Sequence, residues 1–237
     1  MSSAKSPSIQ NQLLARLPEK EYQALQGHLK EVPLIFEEFL YRPRMLLSDV
    51  YFPNSGIVSL VAGVNERSTL EVGLIGNEGM VGLNVFMGVD STLNHAVVQG
   101  AGSAMKMKAT AFRKACSNGG GLPRILLRYT HSVFTQVSQS AVCNQRHSID
   151  ARLSRWLLMT RDRMGADGFP ITQEFLSNML GVRREGVNKA AGDLQKQGLI
   201  SYRRGYLQIL DRPGLEANSC GCYEIIRNEA ANGRSRK

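Results

Sequence analysis

Apolar residues change period twice along the chain. From Asn11 to Val32, in "NQLLARLPEKEYQALQGHLKEV", they recur at helical spacing and predict two short helices. Pro18 suits the first turn of the second helix, whose apolar stripe is Tyr22, Leu25 and Leu29. The preceding ten residues are rich in Ser and predict a frayed end. From about Val32 to Met107 the apolar runs shorten, as in "DVYFPNSGIVSLVAGV", "STLEVGLIG", "HAVVQGAG" and "AMKMKA", and Gly, Asn, Asp and Pro divide them. Many short antiparallel strands in a sandwich or barrel give this pattern. The glycines read as turn residues. "GLIGNEGMVGL" has neither a Walker lysine nor the strand-turn-helix context of a phosphate loop.

Helical spacing returns in "ATAFRKACSNGG", a short helix closed by glycines. Pro123 can then open a long helix running to about Asn144. Along it Leu126, Thr130, Val133, Val137 and Ser140 or Ala141 fall alternately four and three residues apart, a stripe narrow enough for a seam between two helices. A second copy of the chain would supply the other helix; packing on the chain's own sheet is the alternative. "HSIDARLSRWLLMTRDRMG" predicts a further helix, with Ile149, Leu153, Trp156 and Leu157 on one side.

The stretch "ITQEFLSNMLGVRREGVNKAAGDLQKQGLIS", Ile171 to Ser201, holds two more helices. Thr172 can cap the first, in which Phe175, Leu176, Met179 and Leu180 face inward, and Gly181 can end it in the left-handed conformation. The second starts near Arg183 or Arg184 and buries Val187, Ala190, Ala191 and Leu194. At about 100° per residue, Arg184, Glu185, Asn188 and Lys189 cluster on roughly the opposite face. Two helices joined by a short turn with glycine make a helix-turn-helix. In "LISYRRGYLQIL", Ile200 and Tyr202 precede an Arg204-Gly205 turn, and Leu207 and Ile209 follow it. That alternation reads as a β-hairpin wing with Arg203 and Arg204 at its tip.

Charge sharpens this picture. The formal net charge of the 237 residues is +9. Residues 1–141 hold 13 Lys/Arg and 10 Asp/Glu, a net +3, and residues 142–237 hold 16 and 10, a net +6. The C-terminal part is the expected partner of a polyanion, although a merely solvated basic surface would look similar. Paired arginines at the positive end of a helix repel that end, and a nearby phosphate backbone relieves the repulsion. Arg and Lys can donate to guanine O6 and N7, and Glu can accept from the cytosine amino group.

With 43% hydrophobic residues the chain can bury a full core. Its four cysteines, Cys116, Cys143, Cys220 and Cys222, form no disulfide framework. Cys220-Gly-Cys222 is short for a zinc pair, falls in what reads as a polar tail, and is expected to be a bystander. In "CNQRH", Cys143 and His147 lie one helical turn apart with no third ligand nearby, so a structural role at the joint after the long helix is expected, and no metal site. His28, His95 and His131 are scattered. No cupin-type ligand set is evident, and no catalytic residue or enzyme activity is expected. No signal peptide or membrane span is legible, and the cytoplasm is the expected compartment.

With these motifs in place, the chain resembles the Crp/Fnr family of transcription regulators over about residues 12–215. The most specific match is "LGVRREGVNKAAGDLQKQGLIS", where Arg184-Glu185-Gly186-Val187 stands at the family's R-E-x-V. The resemblance implies an α+β fold: an N-terminal antiparallel β-roll of the cyclic-nucleotide-binding, jelly-roll type, a long dimerisation helix and a C-terminal winged helix-turn-helix. The matching layout is a sensor-like domain over 1–121, the helix over 122–145, the DNA-binding domain over 146–215 and a tail over 216–237. It implies base contacts from Arg184, Glu185 and Lys189 and backbone contacts from Thr172 and Arg183. Asn188, Arg203 and Arg204 complete the expected DNA face. Duplex DNA and a second copy are the implied partners, RNA polymerase is a further candidate, and no membrane is involved.

The sensor half departs from the family's cyclic-nucleotide binders, which carry G-E-L-x-L and then R-S-A or R-T-A. Here the matching stretches are Gly79-Met80-Val81-Gly82-Leu83 and Asn94-His95-Ala96. Met80 cannot accept a ribose hydroxyl and neutral Asn94 cannot pair with a cyclic phosphate, though Glu78 or His95 could compensate. An effector at Glu78, Met80, Asn94 and His95 is therefore expected to differ from cAMP, and its identity is open. The iron–sulfur branch needs N-terminal cysteines, and none precedes Cys116, so no such cluster or other cofactor is expected. Two alternatives remain: a constitutive DNA-binding regulator whose roll is only a dimer scaffold, and a small-molecule carrier or enzyme built on the roll.

Overall fold

The computed structural model describes residues 9–65 and 68–232. Most of the N-terminal end expected to fray, residues 1–8, lies outside them. Asn11 opens the fold. Its side chain accepts from the backbone N–H groups of Leu13 and Leu14, capping α1 (Gln12–Ala15), and donates to the carbonyls of Pro53 and Gly79. A wholly buried amide thus has partners on both sides. Pro18 stands at the cap of α2 (Glu19–Gln26) rather than inside its first turn. That helix ends earlier than its apolar stripe suggests. Leu29 lies beyond it, and the next residues already form strand β1 (Lys30–Leu34).

Strands β1, β2 (Phe39–Tyr41), β3 (Asp49–Pro53), β4 (Ile57–Asn65), β5 (Ser68–Ile75), β6 (His95–Gly100) and β7 (Gly102–Lys108), with the single-turn helix α3 (Leu83–Phe86) between β5 and β6, make the antiparallel roll expected from the short runs. Three of them pair in the order β1-β7-β3 and four in the order β2-β6-β4-β5. Alternation along the strands sends neighbouring residues to opposite faces. Val58, Ile75, Ala96 and Val98 join the core of the roll; Ile57, Val61, Leu74 and Val97 join a second core, shared with the C-terminal domain. The middle of the four-stranded sheet is therefore buried on both sides.

Helix α4 (Ala109–Ser117) closes the roll, and α5 (Gly121–Arg146) is the long helix. The Glu21 carboxylate accepts from the Gly121 and Leu122 N–H groups and caps α5 from a distance. Further along, the Gln136 amide bonds both backbone groups of Leu74, taking the place of a neighbouring strand at the β5 edge. The stripe read from the sequence as a seam divides between two sides of the helix. Leu126 is wholly buried in the roll, Val133 packs against the same core and Ser140 is buried, so these three face inward. Thr130, Val137 and Ala141 lie on the outer side with Leu127 and Phe134, which are 62% and 69% exposed. Leu127, Thr130, Phe134, Val137 and Ala141 also alternate three and four apart. The helix carries two such stripes, offset by one residue at alternate positions, and spacing alone does not separate them.

Helix α6 (Ile149–Met164) is the pivot. It was expected to bury one side, yet every residue from Arg152 to Thr160 is buried, because the sheet covers one face and the helices of the C-terminal domain another. The segment expected to be a polar tail is helical. Helix α9 (Arg212–Asn218) crosses the expected domain limit, and α10 (Cys222–Asn232) folds back along α5. Its polar residues satisfy one another: Arg212 pairs with Glu216 at 2.9 Å and with Asp162 at 3.0 Å, and Tyr223 donates to Asp162 at 2.7 Å. Leu215, Tyr223 and Ile226 supply the buried side. Among the described residues no helix is long and apolar enough to cross a membrane.

Polar contacts also cross the shared wall. Arg163, near the end of α6, pairs with Glu78 at 2.8 Å. Trp156 Nε1 donates to Glu71 at 3.0 Å, and Gln99 donates to Thr160 at 3.2 Å. Between them Ser59 has one hydroxyl hydrogen and two acceptors in reach, Glu71 at 2.8 Å and Gln99. In its protonated form Glu71 supplies the missing hydrogen. Burial pushes this carboxyl up to about 7, against the lowering effects of Ser59, Arg155 and Trp156. An acid raised on folding favours the native state below its ordinary pKa of 4.5, and that contribution is lost as pH climbs towards 7. Glu71→Gln should therefore flatten the stability–pH curve between these limits and stabilise the protein at neutral pH by up to roughly 3 kcal/mol. Urea denaturation across the pH series measures this directly.

Candidate nucleic-acid interface

Helix α7 (Gln173–Leu180) begins at Thr172, whose hydroxyl oxygen accepts from the Phe175 N–H at 3.1 Å. Leu176, Met179 and Leu180 are buried as expected, while Phe175 turns towards the roll and stacks at 6.2 Å on Phe36. Gly181, at φ +61°, ends the helix. Arg183 is the cap residue of α8 (Arg184–Lys196) and offers no side-chain cap bond. Val187, Ala190, Ala191 and Leu194 are buried. The lack of a side chain at Gly186 lets α8 press against α6, since a Cβ there would stand 2.9 Å from Ile149 Cδ1.

The opposite face is open. Arg183, Arg184, Glu185, Asn188 and Lys189 are all exposed, and none has a hydrogen-bond or ion-pair partner among the described residues outside its own helix backbone. Strands β9 (Ile200–Arg203) and β10 (Tyr206–Ile209) form the wing and pair with β8 (Gly168–Pro170) in the order β8-β10-β9. Arg204 at φ 50° and Gly205 at φ 76° make a turn with two left-handed residues, which matches the twist of a tight hairpin. Arg203 and Arg204 are exposed there. Tyr202 donates to the Ile171 carbonyl at 2.9 Å, and the Ile171 N–H donates to Gly205 at 2.7 Å, so the wing is tied to the start of α7. Burial raises the Tyr202 phenol and the nearby Arg184 charge opposes that rise. The two ends of the basic surface are thus neighbours, and all eight expected contact residues, Thr172 included, remain open to solvent.

The four expected effector residues do not assemble in this way. Met80 is wholly buried, and Tyr129 donates to its carbonyl at 3.0 Å. Glu78 is engaged by Arg163. His95 lines a cavity of about 480 Å³ between roll and α7, with Phe39, Arg42, Phe175 and Met179, and lies 5.4 Å from the Phe39 ring. Neither Met80 nor Asn94 lines that cavity.

Sequence reasoning missed one convergence. Cys143, His147, Cys220 and Cys222 place their ligand atoms within 4.8 Å of one another. Cys143 and Cys220 sulfurs are 3.4 Å apart, and Cys222 Sγ lies 3.7 Å from His147 Nδ1. The contact between these two thiols holds Cys220 below the ordinary thiol range and raises Cys143. The signal was two ligand pairs, C-x-x-x-H and C-x-C, each incomplete alone. Assigning the second to a tail hid the match.

Gly181 and Gly192 give a contrasting test of this interface. A Cβ at Gly181 adopts a left-handed backbone and meets Leu70 Cδ1 at 2.8 Å, so Gly181→Ala should cost about 1–2 kcal/mol. Gly192 lies inside α8 with open space around it, and Gly192→Ala should add roughly 0.5–1 kcal/mol. Equilibrium unfolding of both variants, with the wild type, reads the two signs.

Residues 151–218 match the model of the Crp-like helix-turn-helix domain. No curated protein matches the sequence. Among solved structures, FixK2 from Bradyrhizobium japonicum superposes with a TM-score of 0.69 at 17% identity, covering 81% of this chain and 98% of its own. The c-di-GMP-responsive global regulator CLP from Xanthomonas campestris gives 0.65 at 17%, covering 82% and 100%. A Crp/Fnr-family transcriptional regulator from Thermus thermophilus gives 0.63 at 18%, covering 80% and 98%. These likenesses concern the fold, and the match over 151–218 concerns the domain that carries the exposed basic helix. Residues 151–218 are thus a Crp-like helix-turn-helix domain, and the chain has the fold of Crp/Fnr-family regulators.

Proposed function

We infer that the chain works as a homodimer that reads a pseudo-palindromic operator through α8. The observation that carries this is the open, unpaired set Arg183, Arg184, Glu185, Asn188 and Lys189 at the start of a helix, braced by a wing with two more arginines. In this docking the α8 N-terminus enters the major groove, with Arg184, Glu185, Asn188 and Lys189 towards base edges. Thr172, Arg183, Arg203 and Arg204 hold phosphates. Lysine at position 189 donates as a point charge, without the bidentate fork of arginine, so its base preference is weak. The second copy would sit on the outer stripe of α5, where Leu127, Phe134 and Val137 are exposed. Two recognition helices would then stand about one turn of DNA apart. RNA polymerase is the partner proposed for the activating case.

The effector question has two answers. One places a ligand other than cAMP at the roll, near Glu78, Met80, Asn94 and His95. The other treats the roll as a dimer scaffold, and the burial of Met80 under Tyr129 favours it.

Gel-shift titration against fragments selected from genomic DNA tests the docking. Arg184→Ala should relax discrimination between operator and random duplex by about 1–3 kcal/mol. Arg203→Ala should weaken both alike and lower the salt slope by about 1. Unchanged discrimination in Arg184→Ala refutes the assigned base contact. Sedimentation checks the dimer: Phe134→Glu, on the outer face of α5, should yield monomer with intact helical content.

A further inference from the structure

We propose that Cys143, His147, Cys220 and Cys222 form a structural Zn²⁺ site that clamps the joint between the long helix and the DNA-binding domain. Four-coordinate zinc holds thiolate sulfur at about 2.3 Å and imidazole nitrogen at about 2.0–2.1 Å, so its ligand atoms stand roughly 3.5–3.8 Å apart. The observed separations of 3.4 and 3.7 Å, with all four atoms inside 4.8 Å, already have that scale. The donor set is three sulfurs and one imidazole, a soft set that suits zinc and leaves no coordination position open for a substrate.

A second observation points to the same ligand. Three thiolates around one divalent cation carry one excess negative charge. Two buried arginines of α6, Arg152 and Arg155, interact electrostatically with these cysteines. They are only 7% and 6% exposed, and the Nε–H of each has no hydrogen-bond partner among the described residues. Two buried cations with spare donors are costly unless enough negative charge stands beside them. Beside an anionic zinc–thiolate centre they are compensated, and such outer groups tune a metal site.

The placement gives the site its consequence. Cys143 lies in the last turn of α5, and His147 is the residue that ends it and precedes α6. Cys220 follows α9, and Cys222 begins α10. A bound metal therefore ties the hinge to the C-terminal helix that runs along α5, fixing how α6, and α8 packed on it, stand relative to the long helix. Binding takes up Zn²⁺ and releases a proton from each thiol protonated beforehand; no electron is transferred.

The full chain, purified without chelator, should carry close to one zinc per chain by elemental analysis. Cys222→Ser and His147→Gln should each lower this to background while Cys116→Ser, outside the cluster, leaves it unchanged. Because a ligand variant could fail to fold, the wild type reconstituted with Co²⁺ gives an independent reading. Thiolate-to-metal charge transfer with intense visible bands of tetrahedral cobalt is the expected spectrum. Removal of zinc with a chelator should also expose three further thiols to a thiol reagent and lower the thermal midpoint. A weak octahedral cobalt spectrum, zinc content unaffected by the ligand variants, or a Cys143–Cys220 disulfide in the freshly isolated protein would each overturn the proposal. None of these readings depends on DNA, so they separate this site from the docking of α8.

Discussion

Two cores share the four-stranded sheet of the roll, and the rest of the molecule follows from that. Along β4, β5 and β6 successive residues serve two different cores, Val58 and Ile75 for the roll, Ile57 and Leu74 for the DNA-binding domain. At roughly 25 cal/mol for each Å² of apolar surface removed from water, a wall shared in this way couples the two units strongly. A one-residue slip in β4 would exchange the two sets, so register is specified from both directions at once. The polar chain from Trp156 through Glu71, Ser59 and Gln99 to Thr160 adds direction to a contact that burial alone leaves unoriented.

This wall also explains which parts of the architecture were legible in the sequence. Strand pattern, long helix, helix-turn-helix and wing all announce themselves locally, through period, glycine placement and the Arg204-Gly205 turn. The open, cationic face of α8 was legible for the same reason, since exposure and charge there follow from helical phase. What escaped was set by tertiary placement. Leu126 and Leu127 are equally good seam residues on spacing, and only the position of the roll decides that the first is buried and the second exposed. Nor does the spacing along α6 show that Arg152 and Arg155 are buried, since the elements that cover them come from distant parts of the chain.

The effector pocket shows the opposite failure. Alignment by resemblance gathered Glu78, Met80, Asn94 and His95 into one place, and the chain uses them separately. Met80 is core, Glu78 is a tie to α6 through Arg163, and His95 looks into the gap beside α7. The Arg163–Glu78 pair ties this part of the roll to α6.

The return of α10 along α5 bears on the order in which the molecule can mature. Cys143 and Cys220 are 77 positions apart in the chain, and contacts so distant form only after the intervening segment has been made and its loop closed. The roll and the first part of α5 can settle from residues already synthesised. The joint after α5 cannot, since Cys220 stands 77 positions beyond Cys143. During synthesis the roll can therefore take shape before the α9–α10 segment is available to pack beside the long helix.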